Sequence, residues 1–204
     1  MQKVKLTKNE LKKQKDALKR FLHYLPTLQL KKQQLQAEIL KIQKAIDDVE
    51  RENAKFRHGL QCWVDVFSEQ LDLEGILKVK EVKTSLGNIA GIDMPVFEEV
   101  VFEEKDYDFM KYPLWVDFGL EAVKKAVELA QKRKVLEKQL MLVREELRVT
   151  TQRVNLFEKV KIPQTNENIR KIRIYLGDLQ TASVVRGKIA KAKIQKKAEA
   201  EVLG

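Results

Sequence analysis

One cysteine, four prolines and eight glycines in 204 residues leave little to staple or break a chain. Cys62 has no second cysteine to pair with, so an internal disulfide is excluded and nothing points to an oxidising compartment. Aromatics make up only 7% of the residues, which together with the low glycine count disfavours a β-sandwich, a collagen-like chain and a glycine-rich nucleotide-binding fold. No apolar run approaches the roughly 18 residues a membrane helix needs. Residues 1–20 are basic without an uninterrupted apolar stretch, so no secretory signal is expected and the location reads as cytoplasmic. Neither GxGxxG nor GxxxxGK[ST] occurs, and Gly187-Lys188 is followed by Ile189, so the usual phosphate-cradling loops are missing. Three serines (Ser68, Ser85, Ser183) and two histidines (His23, His58) offer no Ser/His/Asp order. His58 and Cys62 could share a helical face, but two ligands do not make a structural zinc site. No catalytic, cofactor-binding or metal-ligating residue is assigned, and no cofactor is expected.

Charge, by contrast, is abundant. Asp, Glu, Lys and Arg form 34% of the chain, against roughly 25% in an average domain, and the net charge is +10. It is unevenly placed. Residues 1–20 carry eight basic side chains against Glu10 and Asp16, and residues 182–204 carry six against Glu199 and Glu201. Residues 93–108 carry seven acids against Lys105 alone. Both ends are basic and the middle is acidic. Such ends serve solubility, or they fit an acidic cavity or a polyanion. If the ends meet in space, the two positive clusters fuse into one tip.

Period seven is the strongest pattern. One column holds Leu11, Leu18, Leu25, Lys32, Ile39, Ile46, Asn53 and Leu60; three residues on stand Gln14, Phe21, Leu28, Leu35, Ile42, Val49 and Phe56. Twelve of these fifteen positions are apolar, which predicts a long helix with a seam that buries itself against a partner helix. Pro26 lies inside the pattern, and because the phase holds on both sides a kink is expected there, not an end. A second seam joins Ala126, Arg133, Leu140, Leu147 and Val154 to Leu129, Leu136, Val143, Thr150 and Phe157. Pro113 suits the first turn of that helix. Ile162-Pro163 is expected to interrupt it, with a restart capped near Gln164-Thr165-Asn166-Glu167. Ile169, Ile172, Leu176 and Leu179 then continue the stripe, weakened by Gly177 and Gly187.

Between the seams the period changes. Val96, Glu98, Val100 and Phe102 alternate with Phe97, Glu99, Val101 and Glu103, which reads as a strand, and residues 78–89 are its candidate partner. Gly87-Asn88 and Gly91-Ile92-Asp93 supply turn chemistry. A β-hairpin is therefore expected at about 78–104, preceded by a short helix in 61–77. A lone hairpin is marginal in water and needs a surface to rest on. Tyr107, Phe109, Tyr112, Trp115 and Phe118 fall within twelve residues beside it. They form either a mini-core that holds the hairpin or a partner-docking face, with Tyr107, Phe109, Tyr112 and Trp115 as candidates for the latter. The expected fold is mainly α: a long antiparallel two-helix coiled coil made by residues 1–60 and 113–204, interrupted near 162–166, with a middle segment, 61–112, of short helix and hairpin.

Arg153-Val154-Asn155-Leu156-Phe157-Glu158-Lys159-Val160-Lys161-Ile162-Pro163 resembles the RVNALE…IP stretch of the D subunits of V/A-type rotary ATPases. Arg153, Val154, Asn155, Glu158, Ile162 and Pro163 carry that motif. Ile169, Ile172 and Leu176 match its continuation, Thr7-Lys8-Asn9-Glu10-Leu11 resembles its TK.EL opening, and residues 91–95 its mid-chain glycine–proline hairpin. The resemblance covers essentially the whole chain. It implies a non-catalytic central rotor shaft that couples ATP synthesis or hydrolysis in a hexamer of A and B subunits to rotation and to proton or sodium transport. It further implies a tip inserted in the hexamer (Lys5, Lys8, Lys12, Lys13, Arg186, Lys188, Lys191). The middle region is implied to meet the F subunit and the membrane-side rotor protein known as the C subunit, or d in eukaryotes. A peripheral place on a membrane-bound complex is implied too, with no membrane insertion and no nucleic acid. A prefoldin-like chaperone subunit is the architectural alternative, but chaperone tips need exposed apolar surface and these ends are lysine-rich. A nucleic-acid-binding coiled coil would suit the charge but lacks aromatic stacking platforms in its basic ends.

Overall fold

The computed structural model describes residues 4–61, 76–105 and 112–202, with side chains to 196. The chain is mainly helical. Helix α1 spans Lys8–Leu60, strands β1 and β2 span Leu77–Ile89 and Ile92–Glu104, and helix α2 spans Val116–Asn155. A π-helical segment, Leu156–Lys161, leads into helix α3, Ile162–Val202. Most of 61–77, the place of the expected short helix, lies outside the described residues.

Thr7 caps the start of the α1 helix. Its Oγ1 accepts from the Glu10 amide at 3.3 Å, and Glu10 is the acid that suits the first turn. Arg57 occupies the last turn, where a cation meets the negative end of the dipole. Pro26 does not end the helix. All fifteen positions of the period-seven pattern are buried or half-buried, Leu35, Ile42 and Val49 most deeply. In the second seam only Arg133 is exposed; it pairs with Glu50 at 3.2 Å and Glu137 at 2.9 Å.

Two compact units divide the chain. One comprises Lys31–Thr150. Within it α1 and α2 touch at Lys31–Glu146 (2.7 Å), at Glu50–Arg133 and at Glu52–Lys125 (3.9 Å), and the Lys125 ammonium lies over the Phe56 ring at 5.4 Å. The partner number falls as the α1 number rises, so the two helices run antiparallel there. The core of this unit joins Leu35, Ile42 and Val143 to Met94, from the hairpin.

The hairpin matches the expected span to within a residue, but its turn is Ala90-Gly91. Both have positive φ, 54° and 78°, which is the two-residue connection whose twist suits a tight hairpin. Asn88 and Asp93 close it, Nδ2 to Oδ1 at 2.7 Å, and Asn88 Oδ1 accepts from the Gly91 amide at 3.2 Å. The strict alternation expected of β2 does not hold. Glu98 and Glu99 are both exposed, and Val100, Val101 and Phe102 are all half-buried. The register shift between Lys83 and Thr84 leaves Glu98 as an extra residue in β2, which puts Glu98 and Glu99 side by side in solvent; the shift between Val79 and Glu81 leaves its extra residue, Lys80, in β1. The hairpin lies along α2: Glu104 meets Lys124 at 2.7 Å, and the Pro95 carbonyl accepts from Gln139 Nε2 at 2.5 Å. A second small core, Ile76, Val116 and Leu120, sits at its base.

The other unit comprises Met1–Leu30 and Thr151–Gly204. Here Phe21 and Phe157 contact at 5.3 Å between ring centroids. The expected break at Ile162-Pro163 takes another form. The chain stays helical, and the irregularity is the π segment just upstream, where the Ile162 amide donates to the Phe157 carbonyl. Thr165 does not cap a restart; its hydroxyl donates to the Lys161 carbonyl one turn back, at 2.6 Å. Pro163 has no N–H and its ring crowds the carbonyl of Lys159, and a wider turn accommodates both.

Candidate interaction surfaces

The basic residues ahead of and inside α1 gather against the π segment. Val4 and Lys5 line a cleft of about 460 Å³ with Glu10, Lys13, Lys161 and Thr165. Its floor includes Phe21, and Glu10 is held by Gln14 Nε2 at 2.8 Å. Three ammonium groups and one engaged carboxylate make the cleft cationic. Lys8 and Lys12 are exposed on α1 nearby. Arg186, Lys188 and Lys191 are exposed too, but they lie elsewhere. Arg186 is 21 residues past Thr165, roughly 30 Å along the helix at 1.5 Å per residue. The two positive clusters therefore do not merge among the described residues.

The reason is a difference in reach. Lys15 and Leu18 line a groove with Ile169, Arg170 and Ile174, so the pairing is antiparallel in this unit also. With α1 beginning at Lys8, its turns run out near the level of Leu176, which is half-buried. The stripe expected to include Leu179 stops there, for Leu179 is 47% exposed. From Gly177 to Lys196 only Ala182 is less than exposed. Val184, Val185, Ile189 and Ile194 stand in the open among lysines, on different sides of the helix.

The motif residues divide by burial. Val154 is buried and Ile162 half-buried, so they serve packing. Arg153, Asn155, Glu158 and Pro163 are exposed, and Arg153, Asn155 and Glu158 make no side-chain bond to any described residue. Of the candidate docking aromatics, Tyr107 and Phe109 lie outside the described residues. Tyr112 and Trp115 are half-buried against the core at the hairpin base, the place of the expected mini-core. Phe118 is 71% exposed and Leu114 91%. Sequence reasoning missed Met94 and Gln139, which anchor the hairpin tip. The available signal was a methionine beside a turn, paired across the hairpin with Gly87, which offers it no side chain.

Electrostatically, the perturbed groups are surface pairs. The Arg148 guanidinium bonds Glu145 through two nitrogens, at 3.0 and 2.6 Å, and holds its carboxyl below the ordinary value. The hydrogen bond from Lys171 does the same for Glu167, and Glu99 raises Lys83 in the same way. Each shift follows from its bonded neighbour, as ion pairs of a charged helix or strand face require. No group of three His, Cys, Asp or Glu side chains suited to a metal occurs among the described residues, and no described helix is long and apolar enough to cross a membrane.

Among the described residues, a cationic cleft, an uncovered basic helix and exposed motif residues without side-chain bonds mark a helical chain with no built catalytic centre on view. Residues 10–192 match the profile of the family described as the D subunit of ATP synthase. The V-type ATP synthase D subunit of Borreliella burgdorferi is 50% identical over 197 residues, covering 97% of this chain and 98% of that protein. The proteins of the same name from Chlamydia pneumoniae and Chlamydia trachomatis serovar L2 are 34% and 35% identical; they cover 94% and 96% of this chain, and 93% and 98% of their own lengths. The chain belongs to the family of ATP synthase D subunits.

Proposed function

We propose that this chain is the central shaft of a V-type rotary ATP synthase, a non-catalytic subunit that transmits rotation between an A/B catalytic hexamer and an ion-moving membrane rotor. The observation that carries the reading is the full-length match to D-subunit relatives, on a chain whose two long helices run antiparallel inside each unit. In this reading the seams form a left-handed antiparallel coiled coil that supplies torsional stiffness. The basic stretches act in series. The C-terminal helix with Arg186, Lys188 and Lys191 enters the hexamer deepest. Lys5, Lys8, Lys12 and Lys13 form a collar behind it. A helix with apolar and basic groups on every side suits a sleeve that surrounds it, and this favours the shaft over a chaperone whose tip grips clients from one side.

The hairpin region, with Tyr107, Phe109, Tyr112 and Trp115 beside it, faces the F subunit and the membrane-side C/d subunit. Rotation couples to nucleotide affinity because the shaft makes different contacts with open and closed catalytic interfaces, and only such differential contacts shift an equilibrium. The complex would sit on the cytoplasmic face of its membrane, with this protein peripheral. The test is to purify a tagged copy from its native cell and identify the accompanying proteins. The shaft reading expects A, B, F and C/d subunits. A chaperone would instead bring unrelated clients and suppress their aggregation.

A further inference from the structure

Buried and half-buried positions on the second half of the chain recur every three or four residues, as one face of an α-helix requires. Thr150, Val154 and Phe157 follow that rule, and so do Ile162, Thr165 and Ile169. The step between the two runs is five. Glu158, Lys159, Val160 and Lys161, which fill it, are all exposed. In an unbroken α-helix one extra residue would swing the downstream stripe by roughly 100° off the partner. The five-residue step coincides with the π segment, where the Ile162 amide reaches back to Phe157 instead of Glu158. A π turn takes up one residue and returns the stripe to its face. The proline just after the segment does not explain this, because its missing donor changes a hydrogen bond and not the number of residues between buried positions.

The facing helix is weakened at the same level. Phe157 contacts Phe21, and the adjoining carbonyl, that of Leu22, is the one Pro26 leaves without its helical donor. We infer that the one-residue skip at Leu156–Lys161, set against Pro26, is a built-in flexure: a level at which both helices have given up α-type hydrogen bonds and the pair bends and twists more easily than elsewhere. This does not rest on the rotor reading, since it concerns the isolated chain.

Hydrogen exchange on the full-length chain tests it. Amides in 156–166 and 22–30 should exchange at least about fivefold faster than those in 140–150 and 35–45, the factor that one lost net hydrogen bond implies. Rates equal to the flanks overturn the flexure. Deleting Lys159 restores the three-or-four spacing, so it should slow exchange in 156–166 and raise the melting temperature with helicity kept. A lower melting temperature or faster exchange overturns the skip. Pro163→Ala keeps the residue count, so exchange in 156–166 should stay at the parent's elevated rate. A fall to the flanking rate would make proline the cause and overturn the skip as well.

Discussion

Thr150 is 1% exposed, and its hydroxyl has no partner among the described residues. A buried hydroxyl without a bond costs about 1–3 kcal/mol. Thr150→Val keeps the shape and removes the orphan, so it should stabilise the chain by about 1 kcal/mol, read as a higher melting temperature. Gly87 presents the opposite situation. A Cβ there would stand 2.7 Å from Val96 Cγ2 across the hairpin. Valine has little freedom at χ1 to move aside, so Gly87→Ala should cost about 1–2 kcal/mol, with faster amide exchange confined to 77–104. Both substitutions are read on the isolated chain, where they check local packing.

At the scale of elements, the hairpin is part of the core. Met94 is fully buried against Leu35, Ile42 and Val143. Met94→Ala should destabilise that unit by about 2–5 kcal/mol, the range for emptying such a site, and speed amide exchange in both the hairpin and the facing turns of α1. Excising residues 80–104 would strip the same cover, so it is a harsher change than trimming an appendage.

The sequence made some elements legible and hid others, for reasons that differ. The α1 seam was legible because a single periodicity runs through it and every position is spent on burial. The hairpin ends were legible because β-branched residues give way to glycine and charge. The turn was not, since alanine at positive φ is a choice that tertiary contacts impose, and Ala90 packs against the Met94 core. The π segment was visible only as a slip in phase, easily taken for a break because a proline follows it. The exposure of Leu179 depended on where α1 begins, which no local pattern in the C-terminal half records. Among the candidate site residues, Val154 and Ile162 belong to packing, whereas the lysines were found by charge and could not be placed by it.

At the scale of the molecule, the basic residues fall into two groups at different heights along the helices. If both meet an acidic or polar partner, reversing Lys5, Lys8, Lys12 and Lys13 together should weaken assembly with the A/B hexamer more at low salt than at high, because screening removes exposed interactions beyond about 10 Å at 0.1 M. A sedimentation or pull-down titration at two ionic strengths checks this, and unchanged assembly would remove that group from the interface.

The shaft reading stands or falls on rotation relative to the hexamer. A cysteine at Lys191, on a background with Cys62 replaced by serine, can be joined by a disulfide to a cysteine in the surrounding hexamer of the assembled complex. ATP turnover should stop when the bond forms and return when it is reduced. Full turnover with the two parts covalently joined would contradict the account.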